Sequence, residues 1–265
     1  MNKEFPWQLQ IAQKSLKKQE KICAIHNFIE SLDGKVCLEV GCDKGVLSHY
    51  LRQWGGAWTS VDADEENIRI TKELVKENVE YTDGRTLDFK NAHFDCIIAI
   101  DFLEHIHTDQ EFIHEMFRVL KNDGTLYITV PHTGKELPLN AVRRWLGFKP
   151  EDYGHVREGY SLQELHEKLD KGGFQLHAST TFSRFFSEGI ELGINFGYFF
   201  LLSRKKHRGG IKGGISPESG DDVARHAKSL MLYSLIYPLV KTIAFLDTLI
   251  PFTPGYILMV SAKKK

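Results

Sequence analysis

Short apolar runs in this chain end repeatedly on glycine or on a carboxylate. Residues 36–40 run into Gly41 and Gly45, 57–61 into Asp62, 79–82 into Asp83 and 94–100 into Asp101. A glycine lets backbone approach a ligand with no Cβ in the way, and the first N–H groups of a following helix point at that ligand. A carboxylate that ends a strand can accept hydrogen bonds from two adjacent sugar hydroxyls. Three histidines, His105, His132 and His155, follow later strands, and imidazole is the side chain that takes a proton near neutral pH. Together these residues could bind a small hydroxylated molecule and deprotonate a second one. Each also has a structural use: Asp62 as a helix N-cap, which Asp64 could supply equally well, Asp83-Gly84 as a turn, and the histidines as ties from loops to backbone carbonyls.

The elements that must position these residues follow from periodicity. Apolar residues at Leu9, Ala12, Leu16, Ile22, Ile25, Phe28 and Ile29 predict one helix over 7–32, ended by Asp33-Gly34. Strands are predicted at 36–40, 57–62, 79–82, 94–100, 125–131 and 174–180. Helices are predicted from 46 to 54, over 65–77, over 108–120 with Asn122-Asp123-Gly124 as the stop, and over 162–171. Strands alternating with helices imply an α/β fold, a doubly wound, mostly parallel sheet with right-handed crossovers. Ligands then bind outside the carboxyl ends of the strands.

A dinucleotide-binding loop would need a third glycine where Val46 stands. The pattern Glu39-x-Gly41-x-Asp43-x-Gly45 instead resembles the first motif of the class I S-adenosylmethionine-dependent methyltransferases, an acidic residue followed by Gly-x-Gly-x-Gly. Asp43 replaces the middle glycine, and aspartate adopts left-handed backbone angles more readily than most residues. Asp101-Phe-Leu-Glu-His105 looks like the Leu-Glu-His segment after the fourth strand in one branch of that family, and Arg118-Val-Leu-Lys-Asn-Asp-Gly124 resembles its Arg-Val-Leu-Lys-x-Gly-Gly signature. The resemblance runs from residue 36 to about 180. It implies a Rossmann-like seven-stranded sheet with an antiparallel last strand, S-adenosylmethionine as cofactor and S-adenosylhomocysteine as product. The binding set it implies is Glu39, Gly41, Cys42, Asp43, Gly45, Asp62, Ala63, Asp83, Gly84, Asp101 and Phe102. Asp62 would meet the ribose and Asp83 the adenine amino group, with the Gly84 N–H on the ring. Asp101 and Phe102 would face the methionine end.

The predicted organisation is an N-terminal helix over 1–33, the methyltransferase core over 34–182, a helical insertion over 183–254, and the last strand with a basic tail over 255–265. The insertion carries aromatic residues, a basic glycine-rich stretch at 204–214 and a helix predicted over 222–250. That helix is apolar around most of its circumference, which suits a lid over the acceptor or a surface laid on a membrane. Pro238, Lys241 and Asp247 interrupt it too often for a membrane span.

Bulk properties narrow the acceptor. With 34 Lys and Arg against 35 Asp and Glu the net charge is −1, so nothing draws the chain to nucleic acid. Asp101 is followed by Phe-Leu-Glu, not by the Pro-Pro-aromatic sequence of amino-methylating nucleic-acid enzymes. The expected function is methyl transfer to a small-molecule or lipid- or sugar-linked acceptor, through an oxygen nucleophile with His105, His132 or His155 as base. A quinone, a glycan and a polyprenyl-linked sugar are the acceptors considered. The alternative is a catalytically inactive nucleoside-binding or interaction protein, with a nicotinamide oxidoreductase a distant third. The four cysteines have no metal-binding spacing, and no metal site is expected. No apolar leader precedes residue 7, so the expected location is cytoplasmic, with peripheral contact at the inner face of a membrane through 183–254.

Overall fold

A computed structural model describes residues 5–134, 136–202 and 227–265. Where one N-terminal helix was expected there are two, α1 (Trp7–Lys14) and α2 (Leu16–Phe28). Ser15 separates them because it is extended (φ −96°, ψ 112°) and its hydroxyl accepts the Lys18 N–H at 3.4 Å. A residue that caps the second helix cannot also continue the first.

The sheet is built from β1 (Val36–Val40), β2 (Ala57–Asp62), β3 (Val79–Tyr81), β4 (Phe94–Ile100), β5 (Leu120–Pro131), β6 (Phe174–Phe182) and β7 (Ile257–Lys264). Their order is β3-β2-β1-β4-β5-β7-β6; the first five are parallel, and β7 runs antiparallel to both neighbours. The crossover helices are α3 (Val46–Gln53), α4 (Glu65–Val75), α5 (Asp109–Val119), α6 (Pro138–Trp145) and α7 (Leu162–Lys171). This is the Rossmann-like arrangement expected from the alternation of strands and helices.

Helices cover both faces of the sheet, so its central strands are apolar on both sides. Leu38, Val40, Ile97 and Ile128 pack with Phe94, Phe112 and Phe174 in one layer, and Cys37, Trp58, Cys96 and Ile98 in the other. Three of the four cysteines are thus buried, and Cys23 is exposed. The expected stop at 122–124 is not a break: α5 ends at Val119, and Leu120 already opens β5 opposite Phe94. The ladder then shifts before Cys96 pairs with Thr125, and the Asn-Asp-Gly residues occupy that irregularity.

Between β6 and β7 the insertion contains α8 (Phe185–Leu202), α9 (Ala227–Phe245) and a 3-10 turn, Leu246–Leu249. Asp247 ties its two ends together, accepting the N–H groups of Phe186 and Ser187 at 2.8 and 2.9 Å. The basic stretch at 204–214 and the first residues of the helix expected over 222–250 lie outside the described residues. No helix of the described residues is long and apolar enough to cross a membrane.

Candidate functional site

The loop after β1 is held by contacts only glycine allows at two positions. Gly41 has φ +81°, and a Cβ there would sit 2.8 Å from the Ile100 carbonyl oxygen and 3.3 Å from Phe102 Cβ. Gly45 has φ +79°, and its Cβ would meet Thr71 at 3.0 Å. Asp43, at the position of the missing glycine, takes a left-handed φ of 46°. Its carbonyl accepts the Thr71 hydroxyl at 2.9 Å, and its N–H donates to Asp62 Oδ2 at 2.9 Å. The substitution therefore preserves the turn.

Asp62 closes β2 at the mouth of this loop, 7 % exposed. Its Oδ1 accepts from the Asp64 N–H at 3.0 Å and from Asn67 Nδ2 at 3.2 Å. A carboxylate offers about four acceptor sites; with three taken, one on Oδ2 remains for a ligand hydroxyl. Burial pushes the Asp62 carboxyl above its ordinary range despite these bonds. Asp64 caps α4, accepting the Glu66 and Asn67 N–H groups, so Asp62 is not needed as the cap.

The other residues of the implied binding set fall in different surroundings. Glu39 is wholly buried between β1 and β2, where it accepts the Ser60 hydroxyl at 2.6 Å, and burial raises its carboxyl. Cys42 is buried and its thiol is likewise raised by burial; Ala63 is exposed beside Asp62. Asp83 Oδ1 accepts the Thr86 and Arg85 N–H groups, both at 2.8 Å, which lowers its carboxyl and leaves Oδ2 facing solvent. The Gly84 N–H donates to Thr82 Oγ1 at 3.2 Å.

Asp101 directly follows β4, with φ 44°. Its carboxylate accepts the Thr129 hydroxyl at 2.8 Å and forms an ion pair with Lys21. Phe102 is buried against Phe112, ring centres 5.0 Å apart. Sequence reasoning missed the lysines of α2. Lys18 reaches to within 3.8 Å of Asp43, Lys21 reaches Asp101, and Lys17 lies 3.9 Å from Glu188. Their spacing on one helix, i, i+1 and i+4, carries no signal of its own, because it matches an ordinary solvated lysine face. Glycines without room for a Cβ, a spare acceptor site on Asp62 and ammonium groups beside Asp43 and Asp101 suit a nucleoside carrying an amino-acid end.

Two of the three histidines come together. His105 and His155 stack edge to face with ring centres 4.6 Å apart. His105 Nδ1 is 2.9 Å from the Gly154 carbonyl and donates to it, which leaves Nε2 as the acceptor. His155 is pushed down to about 4, first by burial and then by the neighbouring His105. Glu104 is wholly buried beneath them without a hydrogen-bond partner among the described residues, and burial raises its carboxyl. Glu104, His105 and His155 each bring one ligand atom within 4.8 Å of the others, a donor set that could hold a divalent cation. His132 stands elsewhere, buried at the β5–β7 junction with Nδ1 3.0 Å from the Gly255 carbonyl. His155 also lines an open cavity with about 730 Å³ of space, part of it continuous with solvent, between β5, α6, α8 and the start of β7.

The family described as "Methyltransferase domain" matches residues 15–179. The ubiquinone biosynthesis O-methyltransferase of Rickettsia canadensis (strain McKiel) is 25% identical over 198 residues, covering 71% of this chain and 83% of the relative. The mitochondrial ubiquinone biosynthesis O-methyltransferase of Bos taurus is 30% identical over 118 residues, 40% of this chain and 31% of the relative. Among solved structures, an S-adenosylmethionine-dependent methyltransferase from Mesorhizobium loti superposes with a TM-score of 0.55 at 12% identity, over 91% of this chain and 96% of the other. The [4+2]-cyclase SpnF gives 0.58 at 19% identity, over 94% and 82%. A cyclase beside a methyltransferase at equal likeness means that the fold does not by itself fix the reaction.

Proposed function

Because this chain belongs to the methyltransferase-domain family, which spans its residues 15–179, we propose that it methylates a hydroxyl group on the ring of a quinol-type small molecule. S-adenosylmethionine is the methyl donor and supplies an electrophilic methyl group. Gly41, Gly45 and Asp62 would hold its nucleoside, and Lys18 and Lys21 its carboxylate. Asp101 and Phe102 would then border its methionine end.

The observation that carries this reading is the His105–His155 pair, ring centres 4.6 Å apart, with His105 just beyond the carboxyl end of β4 and His155 on the wall of an open cavity. An acceptor hydroxyl in that cavity meets a neutral imidazole. As the oxygen attacks carbon its proton becomes strongly acidic, so even a weak base removes it. A neutral aromatic amine is nucleophilic as it stands and can lose its proton to water after attack, so it has less need of a positioned base than a hydroxyl does. The test is transfer of labelled methyl from S-adenosylmethionine to catechols and to matched anilines. Methyl recovered on the catechol oxygen supports the reading; methyl found only on nitrogen overturns it.

The relatives' quinone chemistry makes contact with a membrane a natural companion, and exposed apolar side chains in the insertion support it: Leu239 at 61 %, Phe245 at 66 %, Leu249 at 69 % and Phe252 at 83 % exposure. The protein should sediment with phospholipid vesicles, and Leu239→Glu/Phe252→Glu should stay in the supernatant. Equal sedimentation of wild type and variant would remove this surface from the proposal. The polyprenyl-sugar reading rested on the basic stretch at 204–214, which lies outside the described residues, and the glycan reading on the Leu-Glu-His resemblance alone.

A further inference from the structure

The segment that carries His155 is fixed by backbone at two places. The Val156 N–H donates to the Glu104 carbonyl at 2.8 Å, which lays this part of the chain on the 3-10 turn Leu103–His105. The Tyr160 N–H donates to the Pro131 carbonyl at 2.9 Å, where the chain returns to the end of β5. Between these anchors, residues 157–159 form no backbone hydrogen bond among the described residues.

Side chains close that gap, and they converge on one carboxylate. Asp109, the first residue of α5, is buried. Its Oδ2 accepts the Tyr160 hydroxyl at 2.7 Å and lies 3.2 Å from Arg157 Nη1. Lys168, on α7, reaches the same carboxylate at 3.0 Å. The Arg157 guanidinium also lies over the Tyr160 ring, 5.0 Å from its centre. A carboxylate in the first turn of a helix needs no cation, because the helix N-terminus already favours its charge. Two of the three partners gathered here, Arg157 and Tyr160, belong to the His155 segment, and the third does not.

We propose that Asp109 is a positioning residue of the acceptor site: through Arg157 and Tyr160 it fixes the segment that holds the His155 ring against His105. The inference rests on the oxygen-methylation reading and adds to it a residue outside the cavity that sets the geometry of the base. Asp109 does not line the cavity, so it acts only through the segment it holds. Displacing a reacting group by about 1 Å can cost on the order of 100-fold in rate.

Asp109→Asn would set an amide donor against two cations and endanger the fold, so the test substitutes its partners. Arg157→Met and Lys168→Met each remove one cation from Asp109, and each should lower the melting temperature by a similar few degrees. Only the first loosens the His155 segment. In Arg157→Met, kcat for transfer of labelled methyl from S-adenosylmethionine to catechol should fall about 10–100-fold. KM for catechol should stay within about threefold of wild type, and S-adenosylhomocysteine binding should be unchanged. Arg157→Lys, which keeps a cation for Asp109, should recover most of the loss, and Lys168→Met should stay within about twofold of wild type. A second readout needs no turnover. The ring-proton NMR signals of His155, identified by their absence in His155→Gln, are displaced by the edge-to-face ring of His105. They should move in Arg157→Met and in Tyr160→Phe and stay in place in Lys168→Met. Equal losses of kcat in Arg157→Met and Lys168→Met, or His155 signals unmoved in both Arg157→Met and Tyr160→Phe, overturn the proposal. If the wild type places no methyl on catechol oxygen, oxygen methylation fails, and the ring signals alone support or overturn the role of Asp109.

Discussion

Replacing His155 by alanine should lower the rate constant for methyl transfer at low acceptor concentration by about 10²–10⁴-fold, while S-adenosylhomocysteine binding is unchanged. The side chain lines the acceptor cavity, and among the described residues no hydrogen bond joins it to the Gly41–Gly45 loop or to Asp62. The loss should therefore appear with the acceptor and not with the nucleoside. The pH profile separates this role from a merely structural one. Burial and the neighbouring His105 hold His155 down to about 4, against 6.5 for an ordinary histidine. The ring therefore stays neutral down to about pH 4–5, and the acid limb of activity should lie well below pH 6.5. His105→Ala removes the largest of the charge effects that lower it, so the acid limb should move upward in that variant. The same depressed value means that the contribution of His155 to folding stability is present above its unfolded value and is lost as pH falls toward 4. Activity of His155→Ala within about threefold of wild type would assign the base elsewhere.

Much of the fold could be read from the chain because its parallel strands announce themselves. The run 94–100 is apolar on both faces, and each strand ends on a residue, Gly41, Asp62 or Asp101, that a buried strand would not otherwise contain. The left-handed position of Asp43 was legible for the same local reason. What escaped was non-local. Nothing in Ser15 distinguishes a helix cap from a helical serine, since the choice depends on how α1 and α2 pack. Lys18 and Lys21 look like ordinary solvated charges until α2 is laid across the ends of β1 and β4. Glu104 appears as one letter of a Leu-Glu-His motif, but the topology buries it under two imidazoles that are 50 residues apart in sequence, His105 and His155. Of the three histidines, pairing selects two, and only the closure of β7 on β5 fixes His132 to the Gly255 carbonyl. Asp109 carried no signal at all, because the meeting of Arg157, Tyr160 and Lys168 on its carboxylate is a property of the packed state.

The largest effect on the cofactor is expected from Asp62→Ala, which should weaken S-adenosylhomocysteine binding by on the order of 100-fold, about 3 kcal/mol. Two losses add. The ligand hydroxyl loses the acceptor site left open on Oδ2, and the loop loses the bond that holds the Asp43 N–H at 2.9 Å, along with those to Asp64 and Asn67. Asp62→Asn distinguishes the contributions. It keeps one oxygen acceptor for Asp64 and Asn67, but on the other side it sets an amide donor against the Asp43 N–H. Binding should fall nearly as far, whereas a site that needed only a polar residue would recover. The carboxyl is raised by burial, so it protonates earlier than an exposed aspartate as pH falls. Wild-type affinity should accordingly decline from neutral toward acid pH, and the decline should be absent in Asp62→Ala. Circular dichroism and thermal melting of the variants separate lost binding from lost fold. A folded Asp62→Ala protein that binds S-adenosylhomocysteine within about threefold of wild type would show that the glycine loop and the α2 lysines hold the nucleoside without the carboxylate.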